Sequence, residues 1–380
     1  MKNELKNPIK VLFIDPAGNL WGSERSLLLL LKHLDRKKVE PYLCLPPNSK
    51  LSEVAREIKV PCAPYFASNL HTKGPFSKAV ALLGLLWAAY KIKPDVIHLN
   101  QAGAVLYAEL AARIFKVALI VHVRMEEDCD FISKRLRFIS NPKFIAISAF
   151  IVKELHRYGV NSESIQLIYN PIESNKPSMK YESFYDIGIK LPESSVKIGF
   201  SGRLCATKGI NLFIEAMQFV IAERPSSIGV VFGESAETTS EGLDYLSAMK
   251  NFSKELGIAD RIMFLGFRED VQLLMQFLDV FVSSSDTEAW GRSICDALVA
   301  GVPVVATDVG GVSDVIRNGV TGYLVPPRNS NALSDAIIQI IEDPAKGRLM
   351  AKTGKEWILD HCNPKKHAKI ITECYEKLYC

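Results

Sequence analysis

The sequence predicts an α/β protein made of two doubly wound domains in tandem. Three observations carry that expectation. Short apolar runs alternate with amphipathic stretches along the whole chain, the pattern of parallel strands joined by helical crossovers. The rhythm breaks once, over residues 175–195, where Pro177, Pro192 and several serines replace any periodic apolar run. At 380 residues the chain also exceeds the ~150 that an average domain holds.

Each element follows from its own pattern. Residues 9–15, between Pro8 and Pro16, read as a buried parallel strand, because such strands are apolar on both faces. Residues 19–25 form a loop, and 26–34 a strongly apolar helix. Strands are expected at 41–45, 96–99, 118–123 and 144–147, with helices at 50–59 and 77–91. The segment 175–195 is the expected linker between a first domain, 1–174, and a second, 196–364. In the second, strands fall at 196–200, 228–232, 262–264, 280–282, 302–306 and 322–325, and a final helix covers about 365–380. The G-x-G-x-x-G fingerprint is absent, which argues against a nicotinamide dehydrogenase.

Composition narrows the class. With 48% hydrophobic and 23% charged residues the chain is globular, and no low-complexity tract appears. The apolar run 79–90 falls short of the ~20 residues that span a bilayer, and the charged residues 1–10 lack a signal-peptide core, so a cytoplasmic location is expected. Eight cysteines without a C-x-x-C pair point to reduced thiols rather than zinc. The net charge of +4 hides an asymmetry: residues 1–170 carry 24 Lys and Arg against 15 Asp and Glu. The first half therefore favours anionic surfaces or acceptors, and without a basic stripe interleaved with aromatics nucleic acid is not expected.

Two segments carry chemistry. Gly202-Arg203-Leu204-Cys205-Ala206-Thr207-Lys208-Gly209 joins a strand to a helix, where backbone N–H groups face an anion and Arg203 and Lys208 add two cations. That set suits a diphosphate, although a solvated βα loop has the same composition. In the second segment Glu288 lies in the loop after a strand, at the carboxyl edge where open α/β sheets bind ligands. Asp296 follows eight residues later in a short helix ended by Gly301 and Pro303, where it also fits compensation of the helix dipole.

The Glu288-x7-Asp296 pattern before Ala297-Leu298-Val299-Ala300-Gly301-Val302-Pro303 resembles the Glu-x7-Glu signature of the family 4 retaining glycosyltransferases of the GT-B fold (glycosyl transferases group 1). Trp21-Gly22-Ser23-Glu24-Arg25 is similar to that family's Gly-Gly-x-Glu-Arg loop, and Asp95-Val96-Ile97-His98 and Asn170-Pro171-Ile172-Glu173 to two further landmarks. The Gly202–Gly209 loop, Leu265 to Val271, Asp279 to Val282, Gly310 to Asp314 and Gly319 to Pro326 follow in the family's order. The resemblance covers nearly the whole chain and implies two Rossmann-like domains facing each other across a cleft, which interdomain closure would complete.

It also implies roles. Arg203 and Lys208 would hold the diphosphate of a nucleotide sugar without metal or other cofactor. Glu288 would meet the sugar hydroxyls and Asp296 the ribose. Phe267 and Arg268 would lie beside the base, with Gly202, Ser293 and Ile294 completing the donor side and Gly22 approaching the phosphates. His122 looks like the family's histidine near the transferred sugar, while Arg124, following it out of the strand, is a candidate on the acceptor side. Asp296 stands where the family has Glu, so ribose contact needs a water bridge or a closer helix. Asp128-Cys129-Asp130 spells the D-x-D of metal-dependent GT-A enzymes but reads here as a solvated or acceptor-side loop.

The implied activity is retaining transfer of a sugar from a nucleotide diphosphate sugar, UDP favoured and GDP allowed, to an acceptor hydroxyl in bacterial cell-surface polysaccharide or glycolipid synthesis. A non-catalytic nucleotide-sugar-binding protein and a sugar-nucleotide epimerase of the same fold are the alternatives. A saccharide or lipid-linked saccharide is the expected acceptor. The basic first half with its apolar helices fits docking on an anionic membrane, and equally fits helices that are core and charge that aids solubility.

Overall fold

The computed structural model describes residues 7–64, 74–140, 142–174, 181–192, 194–235 and 240–379, which fall into two compact units. Unit 1 comprises residues 1–173 and 361–380, and unit 2 residues 174–360. Of the expected linker, residues 175–180 and 193 lie outside the described residues. Its described part is not featureless. Residues 184–187 form a 3-10 turn in unit 2, with Phe184 buried against Phe232 and Phe277.

Unit 1 holds a parallel sheet of seven strands: β1 (Ile9–Ile14), β2 (Val39–Leu45), β3 (Cys62–Pro64), β4 (Val96–Leu99), β5 (Ala118–Val123), β6 (Lys143–Ala146) and β7 (Ile165–Leu167). Their order is β3-β2-β1-β4-β5-β6-β7. The chain runs outward from β1 in one direction, then returns to β4 and runs outward in the other. The switch point between β1 and β4 is where an open α/β sheet leaves a crevice at its carboxyl edge. The helices are α1 (Gly22–His33), α2 (Lys50–Glu57), α3 (Pro75–Ile92), α4 (Val105–Phe115), α5 (Glu126–Ser133) and α6 (Ala149–Arg157). Ser49 and Ser148 cap α2 and α6, each accepting a backbone N–H of the first turn.

Two expected loops are helical. Helix α1 begins at Gly22, four residues before its predicted start, because Glu24 reaches back to accept the Trp21 N–H at 3.0 Å. Helix α5 contains Asp128-Cys129-Asp130. Asp128 is buried and accepts the N–H groups of Ala102, Arg124 and Met125, while Asp130 pairs with Lys134. The two carboxylates thus serve different partners, and the solvated-loop reading of Asp128 is corrected. Among the described residues no cluster of three His, Cys, Asp or Glu could hold a metal ion.

Unit 2 repeats the plan with β8 (Val196–Ser201), β9 (Ser227–Phe232), β10 (Ile262–Phe264), β11 (Val280–Ser283), β12 (Val304–Thr307) and β13 (Tyr323–Val325). The parallel order is β10-β9-β8-β11-β12-β13, so its switch point lies between β8 and β11. Helices α7 (Ile210–Glu223), α8 (Ser240–Glu255), α9 (Val271–Met275), α10 (Arg292–Ala300), α11 (Ser330–Glu342) and α12 (Pro344–His361) flank it. Ile198, Phe200, Phe213, Val231, Val282 and Ile337 are in its core.

The last helix, α13 (Pro364–Tyr379), belongs to unit 1 and packs on α1, β1 and β4. Its Tyr375 is fully buried, with its hydroxyl 2.6 Å from His98 Nδ1 and its ring edge-on to Phe13. Tyr375→Phe removes the hydroxyl and leaves a buried imidazole nitrogen unsatisfied. It is expected to cost about 1–3 kcal/mol, read from urea unfolding; an unchanged midpoint contradicts that role for the hydroxyl.

Candidate functional site

At the switch point of unit 2 two loops meet. One runs from β8 through Gly202 and Arg203 to Lys208 and Gly209, where α7 begins; the other runs from β11 through Glu288 to Gly291, where α10 begins. Two helix N-termini therefore open at the carboxyl ends of neighbouring strands. Each carries the positive end of a helix dipole and first-turn N–H groups that have no partner within the helix itself, the setting for an anion.

Backbone packing fixes the loops against each other. Gly209 has φ +64°, and a Cβ there would lie 1.9 Å from the Ser284 carbonyl oxygen, so no other residue fits without displacing a loop. Ser284 Oγ in turn donates to the Gly209 carbonyl at 2.7 Å, and the Asp286 N–H to that of Thr207 at 2.9 Å. Gly310, at φ +53°, plays the same part for the second loop: a Cβ would sit 2.1 Å from the Glu288 carbonyl.

This packing delivers the two central side chains. Lys208 Nζ donates to Glu288 Oε2 at 2.5 Å, and the other carboxylate oxygen accepts the Gly291 N–H at 3.2 Å. Both side chains keep part of their surface in solvent, so a ligand can reach them. Arg203 is exposed beside Gly202. Ser293 is half-buried, and Ile294 is wholly buried, which leaves its backbone as the part able to meet a ligand. Phe267 projects into solvent. Arg268 is engaged by two 2.9 Å bonds to Asp270. Burial alone would raise Asp270, but hydrogen bonds from Arg268 and Tyr181 outweigh it and hold the carboxyl below its usual range. Asp296 is buried and accepts from Gln272 Nε2 at 2.7 Å. Gln272, on α9, was not foreseen. Its signal was its place one residue past the Leu265–Val271 landmark.

At the β1/β4 switch point of unit 1 the structure places Gly22 exposed at the start of α1, beside exposed Trp21. Below them lies a buried polar chain. Asp15 Oδ2 accepts from Asn100 Nδ2 at 2.7 Å; Asn100 Oδ1 accepts from Arg124 at 2.8 and 3.0 Å; Arg124 reaches Asn170 Oδ1 at 2.5 Å. Gln101 Nε2 donates to Glu24 at 2.7 Å. Burial raises the carboxyl of Asp15, raises Glu24 with help from Asp15, and raises Asp128 to about 6.

Two expectations change here. Arg124 does not lead out of its strand as the acceptor-side candidate it was expected to be. It is buried, and its guanidinium ties the ends of β4 and β5 to Asn170. His122 has no exposed surface. Its ring lies in a stack, 5.6 Å from that of His98 and 6.5 Å from that of His367 on α13, so it belongs to the interior of unit 1. The cause is strand parity, which turns residue 122 towards the face covered by α13.

Residues 21–176 match the model of Glycosyltransferase Family 4, and residues 185–357 that of Glycosyl transferases group 1. The chain is similar to the lipopolysaccharide core biosynthesis mannosyltransferase LpsB of Rhizobium meliloti, 27% identical over 58% of this chain and 60% of that protein. That match thus spans less than two thirds of the relative's length. It is also similar to UDP-Gal:alpha-D-GlcNAc-diphosphoundecaprenol alpha-1,3-galactosyltransferase of Escherichia coli, 22% identical over 97% of this chain and 96% of that one. In fold it matches Anabaena HepE, solved in complex with UDP and glucose, with a TM-score of 0.83, 23% identity, and 97% and 100% of the two chains covered.

The buried imidazoles make a pH prediction. Burial, aided by the neighbouring Arg124 charge, holds His122 well below 6.5 and His98 and His367 at about 3. These rings are neutral when folded and take up protons only on unfolding. Each therefore withdraws stability as pH falls below 6.5, by about 1.4 kcal/mol per unit. Asp128, raised above 3.8, acts in the opposite sense: its contribution is full below that value and lost as pH rises through about 6. A single substitution isolates one histidine. Between pH 7.5 and 5.5, His122→Gln is expected to lose about 1.4 kcal/mol less unfolding free energy than the unaltered chain. Equal losses contradict a neutral buried His122.

Proposed function

The chain belongs to the family 4, group 1 glycosyltransferases of the GT-B fold, and from that premise we propose that it moves a sugar from a nucleoside diphosphate sugar to an acceptor hydroxyl with retention of configuration. The observation that carries this reading is the Lys208–Glu288 pair, 2.5 Å apart between two helix N-termini at the unit 2 switch point. A cation, a carboxylate and the first-turn N–H groups of two helices match the three parts of such a donor: diphosphate, sugar hydroxyls and leaving-group charge.

The chemistry follows from charge. As the bond from the anomeric carbon to the diphosphate oxygen breaks, negative charge collects on that oxygen. Lys208, Arg203 and the N–H groups at the starts of α7 and α10 stabilise it, on loops whose backbone is already fixed. The acceptor oxygen attacks from the face the diphosphate leaves, and its proton passes to the departing phosphate. Glu288 then acts by orientation, accepting hydrogen bonds from sugar hydroxyls once Lys208 turns to the diphosphate. Asp296, shortened by one methylene and held by Gln272, takes the ribose through a water. No step in this reading calls on a metal or other cofactor.

Uridine is the favoured base. HepE was solved with UDP, and the E. coli relative is named for UDP-Gal and for a diphosphoundecaprenol-linked acceptor. Together with LpsB, named for lipopolysaccharide core synthesis, these support a role in bacterial cell-surface saccharide synthesis, with a lipid-linked saccharide as acceptor.

Two substitutions test the roles. Glu288→Ala is expected to abolish acceptor-dependent transfer, while UDP affinity stays within several-fold. Lys208→Met is expected to weaken UDP by about tenfold to a hundredfold, the value of a charge-assisted bond. Undiminished transfer by Glu288→Ala removes that residue from the mechanism, and a product formed without acceptor points to an epimerase.

A further inference from the structure

Helix α3 breaks the usual rule for a surface helix. Its sequence, PFSKAVALLGLLWAAYKI, is apolar all round, the composition of a helix buried on every side. One face is: Ala81, Leu85, Ala88 and Ala89 are buried, and the helix packs on β1, β2 and β3. The opposite face is not. Phe76, Leu83, Trp87 and Tyr90 recur at helical spacing and are 81, 65, 54 and 62% exposed.

The stripe continues on the neighbouring helix. α4 packs against α3 and exposes Leu106, Leu110 and Ile114 at four-residue steps. Beyond it, Arg113 donates to the Phe138 carbonyl and so brings exposed Phe138 to the same edge. A scattered exposed Leu needs no account, but a continuous row across adjacent elements marks an interaction surface.

The border of the row names its partner. α3 carries no acidic residue, and the acid on α4, Glu109, is buried and paired with Arg113. Exposed cations border the row: Lys91, Lys93, Lys116 and Arg137. Two of them lie over its aromatic rings, Lys91 at 6.0 Å from the Trp87 centroid and Arg137 at 4.7 Å from that of Phe138. A second copy of the chain laid face to face would set these like charges against one another, which disfavours a homodimer. Apolar and aromatic side chains inside a rim of lysine and arginine instead match an anionic lipid surface, where rings settle at headgroup depth and long cationic stems reach the phosphates. Among the described residues no helix is long and apolar enough to cross a membrane, so the contact is a peripheral one.

We propose that the α3–α4 face of unit 1 seats on an anionic lipid bilayer. This deepens the lipid-linked acceptor reading, but its test uses neither donor nor acceptor, so either can fail alone. The experiment is flotation with vesicles of phosphatidylethanolamine containing about one third phosphatidylglycerol, against vesicles of phosphatidylcholine, at about 0.05 and 0.5 M salt. The full chain is expected to float with the anionic vesicles at low salt and to be released at high salt. Leu83→Glu with Trp87→Glu, both on the solvent face, is expected to lower the bound fraction at least about tenfold with the thermal midpoint unchanged. Lys91→Glu with Lys93→Glu is expected to reduce anionic binding and leave the midpoint alone. Absence of flotation at low salt, or flotation undiminished in the Leu83/Trp87 variant, overturns the proposal. So does a dimer in sedimentation that this variant disperses, which would assign the face to a second copy.

Discussion

The approach of Gly209 to the Ser284 carbonyl is the constraint on which the rest of unit 2 depends. No side chain fits between them, so the loop after β8 lies directly on the end of β11. From that contact come the start of α7, the position of Lys208 and its reach to Glu288 across 80 residues of chain. Gly310 does the same from the other side by admitting the Glu288 carbonyl. Backbone packing, rather than side-chain bonding, thus places the charges. A site built this way is already organised before a ligand arrives, which is the condition for electrostatic stabilisation of a leaving group.

Unit 1 solves a different problem at its corresponding switch point. Asp15, Glu24, Arg124 and Asp128 are all buried there, and a buried charge persists only when paired and hydrogen-bonded. Gln101 and the Trp21 N–H serve Glu24, and three backbone N–H groups serve Asp128. The chain from Asp15 through Asn100 and Arg124 to Asn170 supplies the other two, and it ties β1, β4 and β5 to the last residues before the crossover to unit 2. The imidazoles of His98, His122 and His367 lie against it, and α13 closes the stack with Tyr375. The returning C-terminal helix is therefore part of the core of unit 1 and not an appendage.

Much of this was legible in the sequence. Parallel strands buried on both faces leave continuous Val, Ile and Leu runs, so β4, β5 and β10 fall at their expected bounds, and glycine-rich turns locate the loops at the unit 2 switch point. What was not legible has physical reasons. The first turn of α1 resembles a loop in composition, and the Glu24 bond back to Trp21 that starts the helix is the signal that could have revealed it. A strand buried on both faces gives no alternation, so nothing in residues 118–123 told which way His122 points. Arg124 and Asp128 carry charges that suggest solvent, and their burial rests on partners such as Asn100 that lie far off in sequence. The exposure of α3 was hidden for the converse reason: an all-apolar helix reads as core.

The most direct measurement is thermal unfolding of the full chain with UDP, GDP, ADP and CMP in turn, each with EDTA. A ligand at a hundred times its dissociation constant adds about 2.7 kcal/mol, enough for a clear midpoint shift. A shift with one nucleoside diphosphate, UDP foremost, that persists in EDTA and falls to about half or less in Lys208→Met is the expected result. No shift with any of the four contradicts the donor site between the starts of α7 and α10.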